Sequence, residues 1–294
     1  MHDDEVDVPE ELVRSLLAGQ LPSLADLPLR LVEPWGTDNA IWRLGDDLVL
    51  RLPRVAWAAE QVHWEAEFLP RLDGTLPVAT PVPVALGVPA AGYPFAWAVH
   101  RWLAGRAASR EGMADLACFA LDLAAAVRGL QALPVRAPRR ARNRARPLAA
   151  YHDDALQAIA GAAQLVDAAA ARRVWEEALA APAYAGPACW VHGDLEGNCL
   201  LHAGALSGIV DWGSACVGDP AVDVQVVWSP LFTEESRGVF LEALGVDAAT
   251  LARSRGAAVE QACAALPYYL DTYPEIVSRS LHKLAALGIP TSLP

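Results

Sequence analysis

The feature that most constrains this chain is a pair of acidic segments, each of which directly follows a short apolar run. The first is Trp190–Leu201, which reads Trp-Val-His-Gly-Asp-Leu-Glu-Gly-Asn-Cys-Leu-Leu, and the second is Ile209–Gly213, which reads Ile-Val-Asp-Trp-Gly. The apolar residues before Asp194 and Asp211 predict short buried strands. Both carboxylates are therefore expected where a strand ends and a loop begins, at the edge of a sheet.

These two segments carry the residue types that phosphoryl transfer requires. Two carboxylates and the carboxamide of Asn198 are hard oxygen ligands that suit Mg²⁺, and one carboxylate can serve as a base. A lone Asp after a strand is more often the cap of a turn or helix. The combination of Asp194, Asn198 and Asp211 favours a site over separate caps.

The order His-Gly-Asp, then Asn, then Asp-x-Gly about a dozen residues later resembles the catalytic segment of the aminoglycoside and macrolide phosphotransferases. These are kinase-like small-molecule phosphotransferases. By that resemblance Asp194 orients and deprotonates the substrate hydroxyl, and His192 braces the loop. Asn198 and Asp211 hold Mg²⁺ by the same resemblance.

One spacing departs from the family pattern. Four residues normally separate the catalytic Asp from the metal-binding Asn, whereas Leu195, Glu196 and Gly197 are the only three here. The loop is therefore expected to be tightened at Gly197. Glu196 becomes a candidate for contact with substrate or with the metal, which it could share with Asn198 or bind in its place.

The N-terminal part predicts a small antiparallel sheet. Strand-like runs separated by turn residues predict two successive hairpins, with strands at Leu29–Pro34, Ala40–Leu44 and Leu48–Leu52. The first turn occupies the place of the nucleotide-covering loop in the resembling family, so Gly36, Thr37 and Asn39 are candidate phosphate contacts. An ordinary hairpin loop explains the same residues equally well.

Arg51 stands where the resembling family has a Lys that grips the nucleotide phosphates. Its expected partner is Glu65 on a helix predicted over Ala56–Leu69, with Glu67 as the weaker rival. Arg51 is a second departure from the family, because a forked guanidinium binds anions in another geometry than an ammonium. The alternatives are a solvent-facing Arg51 and an ordinary surface Glu65.

Prolines mark the end of this part of the chain. Four of them predict an irregular extended segment from Leu76 to Val88: Pro77, Pro81, Pro83 and Pro89. The next strand is predicted over Tyr93–Trp102 and corresponds by resemblance to the hinge that meets the nucleotide base, so Ala98 and His100 are candidate contacts. Backbone recognition leaves no side-chain signature, so ATP and GTP both stay open as donors.

The remaining chain predicts mainly helices. An apolar stripe predicts a helix over Met113–Leu133, and Ala-rich helices are predicted from about Asp153 to Ala181. The tail, roughly Thr233–Leu287, is also predicted to be helical. Asp223 belongs to a further helix start and is predicted to be structural. In the tail, Tyr268, Tyr269 and Tyr273 alternate with acids such as Asp271, which suits a cationic or sugar-like substrate. A corner between two helices explains these residues as well.

Composition restricts location and partners. The five Cys are widely spaced and form no CxxC, which favours a reducing cytoplasm over disulfides or zinc. The acidic N-terminus and the lack of a long apolar run predict neither secretion nor membrane insertion. Six of the 23 basic residues lie between Arg136 and Arg146, so without them the net charge of −12 becomes −18. That charge disfavours nucleic acid and attracts cationic small molecules, although acidic surfaces also aid solubility.

Together these features predict an α+β, two-lobed protein-kinase-like fold. Residues 1–101 form a nucleotide-binding lobe with a small antiparallel sheet and one helix, and residues 102–294 form a larger, mainly helical catalytic and substrate-binding lobe. The predicted function is Mg²⁺-dependent phosphoryl transfer from ATP or GTP to a small-molecule hydroxyl in the cytoplasm. An aminoglycoside is the first expected acceptor and a macrolide the second, which would confer antibiotic resistance. The alternatives are a metabolic kinase for choline, a sugar or homoserine, and a non-catalytic nucleotide-binding relative.

Overall fold

The computed structural model describes residues 5–33, 38–136 and 145–292. Gly36, Thr37 and most of the arginine-rich stretch lie outside the described residues. The chain forms two compact units, of which the first comprises Met1–Gly105 and Gly208–Gly213 and the second Arg106–Ser207 and Ser214–Pro294. The boundary between these units differs from that of the predicted lobes at residues 102–105 and at Gly208–Gly213. The assignment of nucleotide to one lobe and substrate to the other stays a prediction.

The first unit contains an antiparallel sheet of five strands in the order β1-β2-β3-β5-β4. The strands are β1 (Leu29–Leu31), β2 (Asn39–Leu44), β3 (Leu48–Pro53), β4 (Pro83–Gly87) and β5 (Trp97–Arg101). Helices α1 (Glu10–Gln20) and α2 (Ala56–Phe68) complete this unit. The two predicted hairpins and the helix that carries Glu65 are confirmed, and the strand predicted over Tyr93–Trp102 is present over Trp97–Arg101.

Alternation along β3 gives the sheet two different faces. Leu48, Leu50 and Leu52 join a buried apolar cluster that includes Leu16 and Leu17 of α1. Arg51 has the opposite parity, so it projects from the other face, where it meets a residue of α2 described below. Burial of the leucines thus fixes the register that sets the direction of Arg51.

The prediction of an irregular segment from Leu76 to Val88 is wrong over Pro83–Gly87, which form β4. β4 lies at the edge of the sheet and pairs with β5 alone, with a register shift between Pro83 and Ala85. Proline is tolerated at edge strands and at bulges because its missing N–H is not needed there.

The second unit is mainly helical, as predicted. Its helices are α3 (Leu116–Gln131), α4 (His152–Gly161), α5 (Ala168–Ala180), α6 (Ala221–Val224), α7 (Glu234–Leu244), α8 (Ala248–Tyr269) and α9 (Pro274–Ala286). Helix α8 packs against α4, α5, α6 and α9, and α3 packs against α7. Gly256 permits the close approach of α8 to α5, because a Cβ there would lie 2.7 Å from the Ala178 Cβ.

Five short strands of the chain lie within or near the two acidic segments. They are β6 (Arg106–Ala107), β7 (Cys189–Val191), β8 (Cys199–His202), β9 (Ala205–Ile209) and β10 (Cys216–Gly218). β7 pairs with β10, and β8 lies between β6 and β9. The predicted strands before Asp194 and Asp211 are therefore confirmed. Among the described residues, no helix is both long enough and apolar enough to span a lipid bilayer.

Candidate active site

The segment after β7 is held by one buried carboxylate. The backbone N–H groups of His192 and Gly193 donate to Asp223 at 2.9 and 2.8 Å. The Asp194 N–H donates to Nδ1 of His192 at 3.2 Å, so the imidazole braces the loop from inside. Burial raises the pKa of Asp223, against the opposing effects of nearby His192 and of the two backbone amides. These bonds fix the backbone from which the candidate base Asp194 projects.

The conformation of this loop explains its two glycines. Gly193 has φ of +82°, and a Cβ there would lie 3.2 Å from the Ser214 carbonyl oxygen. Gly197 has φ of +87°, which agrees with the expected tightening at this residue. Such positive φ values favour glycine because other residues are strained there.

Asn198 closes the loop with its side chain. Its Nδ2 donates to the backbone carbonyl of Asp194 at 2.7 Å, and its backbone N–H donates to Leu195 at 3.2 Å. Because the amide nitrogen is used, the carboxamide oxygen is the atom of Asn198 that can serve a cation. Glu196 pairs with Lys283 of α9 at 2.6 Å. The sequence analysis did not single out Lys283.

Asp211 belongs to the first compact unit. The Ile209 N–H donates to the Ala79 carbonyl at 3.0 Å, and the Trp212 ring lies 6.2 Å from that of Phe68, which attaches Gly208–Gly213 to this unit. Asp211 has φ of +58°, a left-handed conformation uncommon for a residue with a side chain. Such a local strain persists where surrounding contacts determine the backbone, and it often marks a functional position.

Arg51 binds two acidic side chains of the first unit, Glu65 and Asp211. Its Nη1 donates to both carboxylate oxygens of Glu65 at 2.5 Å, and its Nη2 donates to Asp211 at 2.6 Å. Gln61 accepts from Nη2 at 3.4 Å. With its carboxamide oxygen turned toward the guanidinium, Asn39 accepts from Nε and Nη2 at 3.2 Å. Every nitrogen of this guanidinium therefore has a protein acceptor, and the expected Arg51–Glu65 pair is present.

Burial and the neighbouring charges act in opposite directions on this cluster: burial raises the pKa of Glu65, although the charge of Arg51 opposes it. Burial alone would lower the pKa of Arg51, but the carboxylates of Asp211 and Glu65 outweigh it and raise the pKa above its ordinary value. Ala98, a predicted nucleotide contact, is the register partner of Arg51 on β5. Burial, helped by the charge of Arg51, lowers the pKa of His100 to about 4. The Nε2 atom of His100 is buried without a hydrogen-bond partner among the described residues.

A cavity of about 450 Å³ opens within the second unit, and two of the tyrosines predicted to contact substrate line part of it. Tyr268 and Tyr269 line it, whereas Tyr273 contacts the Tyr269 ring at 6.3 Å and Asp271 is not part of the lining. The sequence analysis did not identify Asp154 and Glu260, two acids that also line this cavity.

A small recess of about 10 Å³ lies beside the candidate base. Asp194 and Glu196 line it together with Gln225 and Gln261, and the two glutamines also line the larger cavity. One carboxylate oxygen of Glu196 and the carboxamide oxygen of Gln225 are buried there without partners among the described residues. Gln225 and Gln261 thus link the wall of the larger cavity with the recess beside Asp194.

Asn198 and Asp211 each offer an oxygen donor of the kind that Mg²⁺ prefers. Nowhere in residues 5–33, 38–136 and 145–292 do three His, Cys, Asp or Glu side chains converge as metal ligands. Mg²⁺ commonly takes one or two protein carboxylates and completes its shell with water and substrate phosphates. The Asp211 side chain is 40% exposed, and Asn198 keeps a carbonyl oxygen for such a role.

Comparison with known proteins decides the family. The model of the phosphotransferase enzyme family matches residues 32–259. The chain belongs to this family. Among curated proteins, none matches the chain in sequence. The predicted identification as a phosphotransferase is therefore confirmed at the level of the family.

Solved structures similar to this phosphotransferase support the same fold. The GDP and kanamycin complex of APH(2″)-IIIa has a TM-score of 0.72 at 20% identity and covers 94% of this chain and 98% of its own. The ADP-bound aminoglycoside phosphotransferase APH(2″)-Ib has a TM-score of 0.63 at 14% identity, covering 95% and 98%. Macrolide 2′-phosphotransferase MphH from Brachybacterium faecium has a TM-score of 0.63 at 25% identity, covering 95% and 97%. The predicted two-lobed kinase-like fold class is confirmed.

Proposed function

We propose that this phosphotransferase transfers the γ-phosphoryl group of ATP or GTP to a hydroxyl of an antibiotic that carries an amino sugar. An aminoglycoside is the first expected acceptor and a macrolide the second. The observation that carries the proposal is the acidic and aromatic cavity whose glutamine wall continues to the recess beside Asp194. An amino sugar whose hydroxyl points toward Asp194 and whose amine points toward the cavity would fit both the recess and the cavity.

Asp194 acts in this proposal as the residue that orients the acceptor hydroxyl and takes its proton. His192 and Asp223 hold its backbone, so the carboxylate needs little reorganisation when the substrate arrives. Asn198 and Asp211 are the residues that would hold Mg²⁺, which neutralises charge on the transferring phosphoryl group when bound. Arg51 and Glu65 fix the side chain of Asp211.

The donor is a nucleoside triphosphate. Structures with the same fold contain GDP in one case and ADP in another, which supports nucleotide binding here. Asn39, Ala98 and His100 remain the candidate contacts on the sheet of the first unit, and Gly36 and Thr37 are candidates in the preceding turn. Because every guanidinium nitrogen of Arg51 already has a protein acceptor, we expect Arg51 to organise its neighbours and not to grip phosphate as the family Lys does.

The acceptor is expected to be cationic. Asp154 and Glu260 outnumber Arg146, the cation in the cavity lining, which pairs with Asp154 at 3.9 Å. Tyr268 and Tyr269 supply aromatic faces that attract ammonium groups. The net charge of −12 favours the approach of a polycation such as an aminoglycoside. A macrolide is the second candidate, because alanines also line the cavity and the macrolide phosphotransferase is 25% identical to this chain.

We further propose that the protein acts in the cytoplasm, where both nucleotides are abundant, and that phosphorylation there confers resistance. All five cysteines are thiols that form no disulfide, which agrees with a reducing compartment. Nucleic acid and membrane are not expected as partners.

Transfer of radiolabelled γ-phosphoryl tests the proposal. Purified protein with Mg²⁺ and labelled ATP or GTP is offered aminoglycosides, macrolides, choline, sugars and homoserine, with Asp194→Asn as the matched inactive variant. We expect label on an amino-sugar antibiotic with the natural chain alone. Label on a metabolite would support the metabolic-kinase alternative. Nucleotide binding without transfer to any acceptor would support the non-catalytic alternative.

A further inference from the structure

Lys283 is the single lysine of a chain whose other 22 basic residues are all arginine. It lies on α9 and is 3% exposed. Its ammonium donates to Glu196 at 2.6 Å and to the side-chain oxygen of Gln261 at 2.8 Å. A buried ammonium is strongly unfavourable unless it is paired and hydrogen-bonded. The position of Lys283 is therefore tied to that of Glu196.

Arg279 lies one helical turn before Lys283, on the same side of α9. Its Nη1 fills the place that a side chain on Gly197 would take, since a Cβ there would lie 2.3 Å from this nitrogen. Arg279 also pairs with Glu275 at 3.4 Å along the helix. Two cations of one helix face thus contact two consecutive residues of the Asp194–Asn198 loop.

The contacts from α9 fall on the three-residue segment that separates Asp194 from Asn198. Between Asp194 and Asn198 there are three residues, and the middle one, Glu196, is held from outside the loop by Lys283. The Asn198 side chain bonds back to the Asp194 carbonyl at 2.7 Å, so a shift of Glu196 would move both ends of this bond. Helix α9 therefore contacts the part of the loop that lies between the candidate base and the candidate metal ligand.

We propose that Lys283 and Arg279 are positioning residues for the catalytic loop, and that Glu196 is their anchor and not a ligand of the metal. The inference rests on the proposed function, because it assigns Asp194 and Asn198 their roles in phosphoryl transfer. The proposal explains why a lysine occupies position 283, and it excludes Glu196 as a metal ligand although Glu196 lies within the loop. Loss of the pair should displace reacting groups without removing any of them.

A double-mutant cycle on Lys283→Met and Glu196→Gln tests the proposal. Each single variant should lower kcat about 10- to 100-fold, as small displacements of catalytic groups do, and the double variant should be no worse than the poorer single one. The KM for nucleotide should stay within about threefold of the natural chain, and any rise in the Mg²⁺ concentration for half-maximal rate should be equal in the two single variants, because both displace Asn198 to the same extent. Lys283→Arg should retain part of the activity because it keeps the positive charge.

The matched control is Arg255→Met, which removes a cation of α8 from an exposed pair with Glu177 at 3.9 Å. We expect no change in kcat from it. A raised Mg²⁺ requirement in Glu196→Gln, without one in Lys283→Met, would overturn the proposal by making Glu196 a metal ligand. Unchanged kcat in both variants would also overturn it, because the pair would then serve stability alone.

Amine labelling separates this inference from the proposed function. With one lysine in the chain, an amine-reactive reagent modifies Lys283 and the N-terminus, and mass spectrometry distinguishes the two. We expect slow labelling of Lys283 in the natural chain and labelling at least about tenfold faster in Glu196→Gln, since the ammonium loses its partner. If no acceptor is phosphorylated by the natural chain, the proposed function fails. In that case equal labelling rates, or a Mg²⁺-nucleotide affinity that is weakened in Glu196→Gln and not in Lys283→Met, would refute the anchor role on its own.

Discussion

Replacing Arg51 by Met tests whether one guanidinium holds two acids in the first compact unit. The Glu65 side chain is 3% exposed and that of Arg51 is 10% exposed, so the variant leaves a buried carboxylate without its cation. Loss of one partner of such a pair costs about 3–5 kcal/mol. The Asp211 side chain is 40% exposed, and its pair adds at most about 1 kcal/mol after solvent screening. We expect the free energy of unfolding to fall by about 4 kcal/mol.

Urea unfolding monitored by tryptophan fluorescence measures this change. The matched control is Arg71→Met, which breaks an exposed pair with Glu67 at 2.8 Å and should cost less than about 1 kcal/mol. The double variant Arg51→Met with Glu65→Gln removes the stranded charge, so it should lose about 2 kcal/mol and be more stable than Arg51→Met alone. Equal losses in Arg51→Met and Arg71→Met would refute the argument from burial, as would a double variant less stable than Arg51→Met.

Three further predictions concern pH, the loop and the cavity. The pKa of His100 is about 4 in the folded chain and near 6.5 in the unfolded chain, so the unfolded chain binds the proton first as the pH falls. Between pH 7 and pH 5 the natural chain should therefore lose roughly 2 kcal/mol more stability than His100→Leu, as measured by urea unfolding. Gly193→Ala should lose about 1–2 kcal/mol from its positive φ and should lower kcat, because the methyl group also meets the Ser214 carbonyl; unchanged kcat would contradict the loop geometry. Glu260→Gln should raise the KM for a polycationic acceptor about 3- to 10-fold and leave the KM for nucleotide unchanged, and equal effects on both would exclude its role in the cavity.

The elements of the fold were predictable where local patterns determine them. Period-two alternation gives the hairpins and the direction of Arg51, and the apolar stripe of α2 places Glu65 on the inward side. β4 was not predicted, because proline normally argues against a strand and the exception depends on an edge position that the full sheet defines.

The sequence motif of the candidate site was predictable, whereas the residues that hold its side chains in place were not. Asp194, Asn198 and Asp211 form a recognisable sequence pattern, whereas Asn39 as an acceptor of Arg51 and Lys283 as the partner of Glu196 depend on tertiary contacts. Local periodicity contains no information about which distant side chains meet. One signal was present for Lys283, because a single lysine in an arginine-rich chain suggests a position that needs a compact ammonium.

The central claim is that Asp194 promotes transfer of phosphate to an amino-sugar hydroxyl. Its most direct test is mass spectrometry of the acceptor after incubation with Mg²⁺ and nucleoside triphosphate, in parallel with the natural chain and Asp194→Asn. The two chains should bind nucleotide with similar affinity, and the natural chain alone should convert the acceptor to its phosphate ester. An acceptor phosphorylated equally fast by Asp194→Asn would contradict the account.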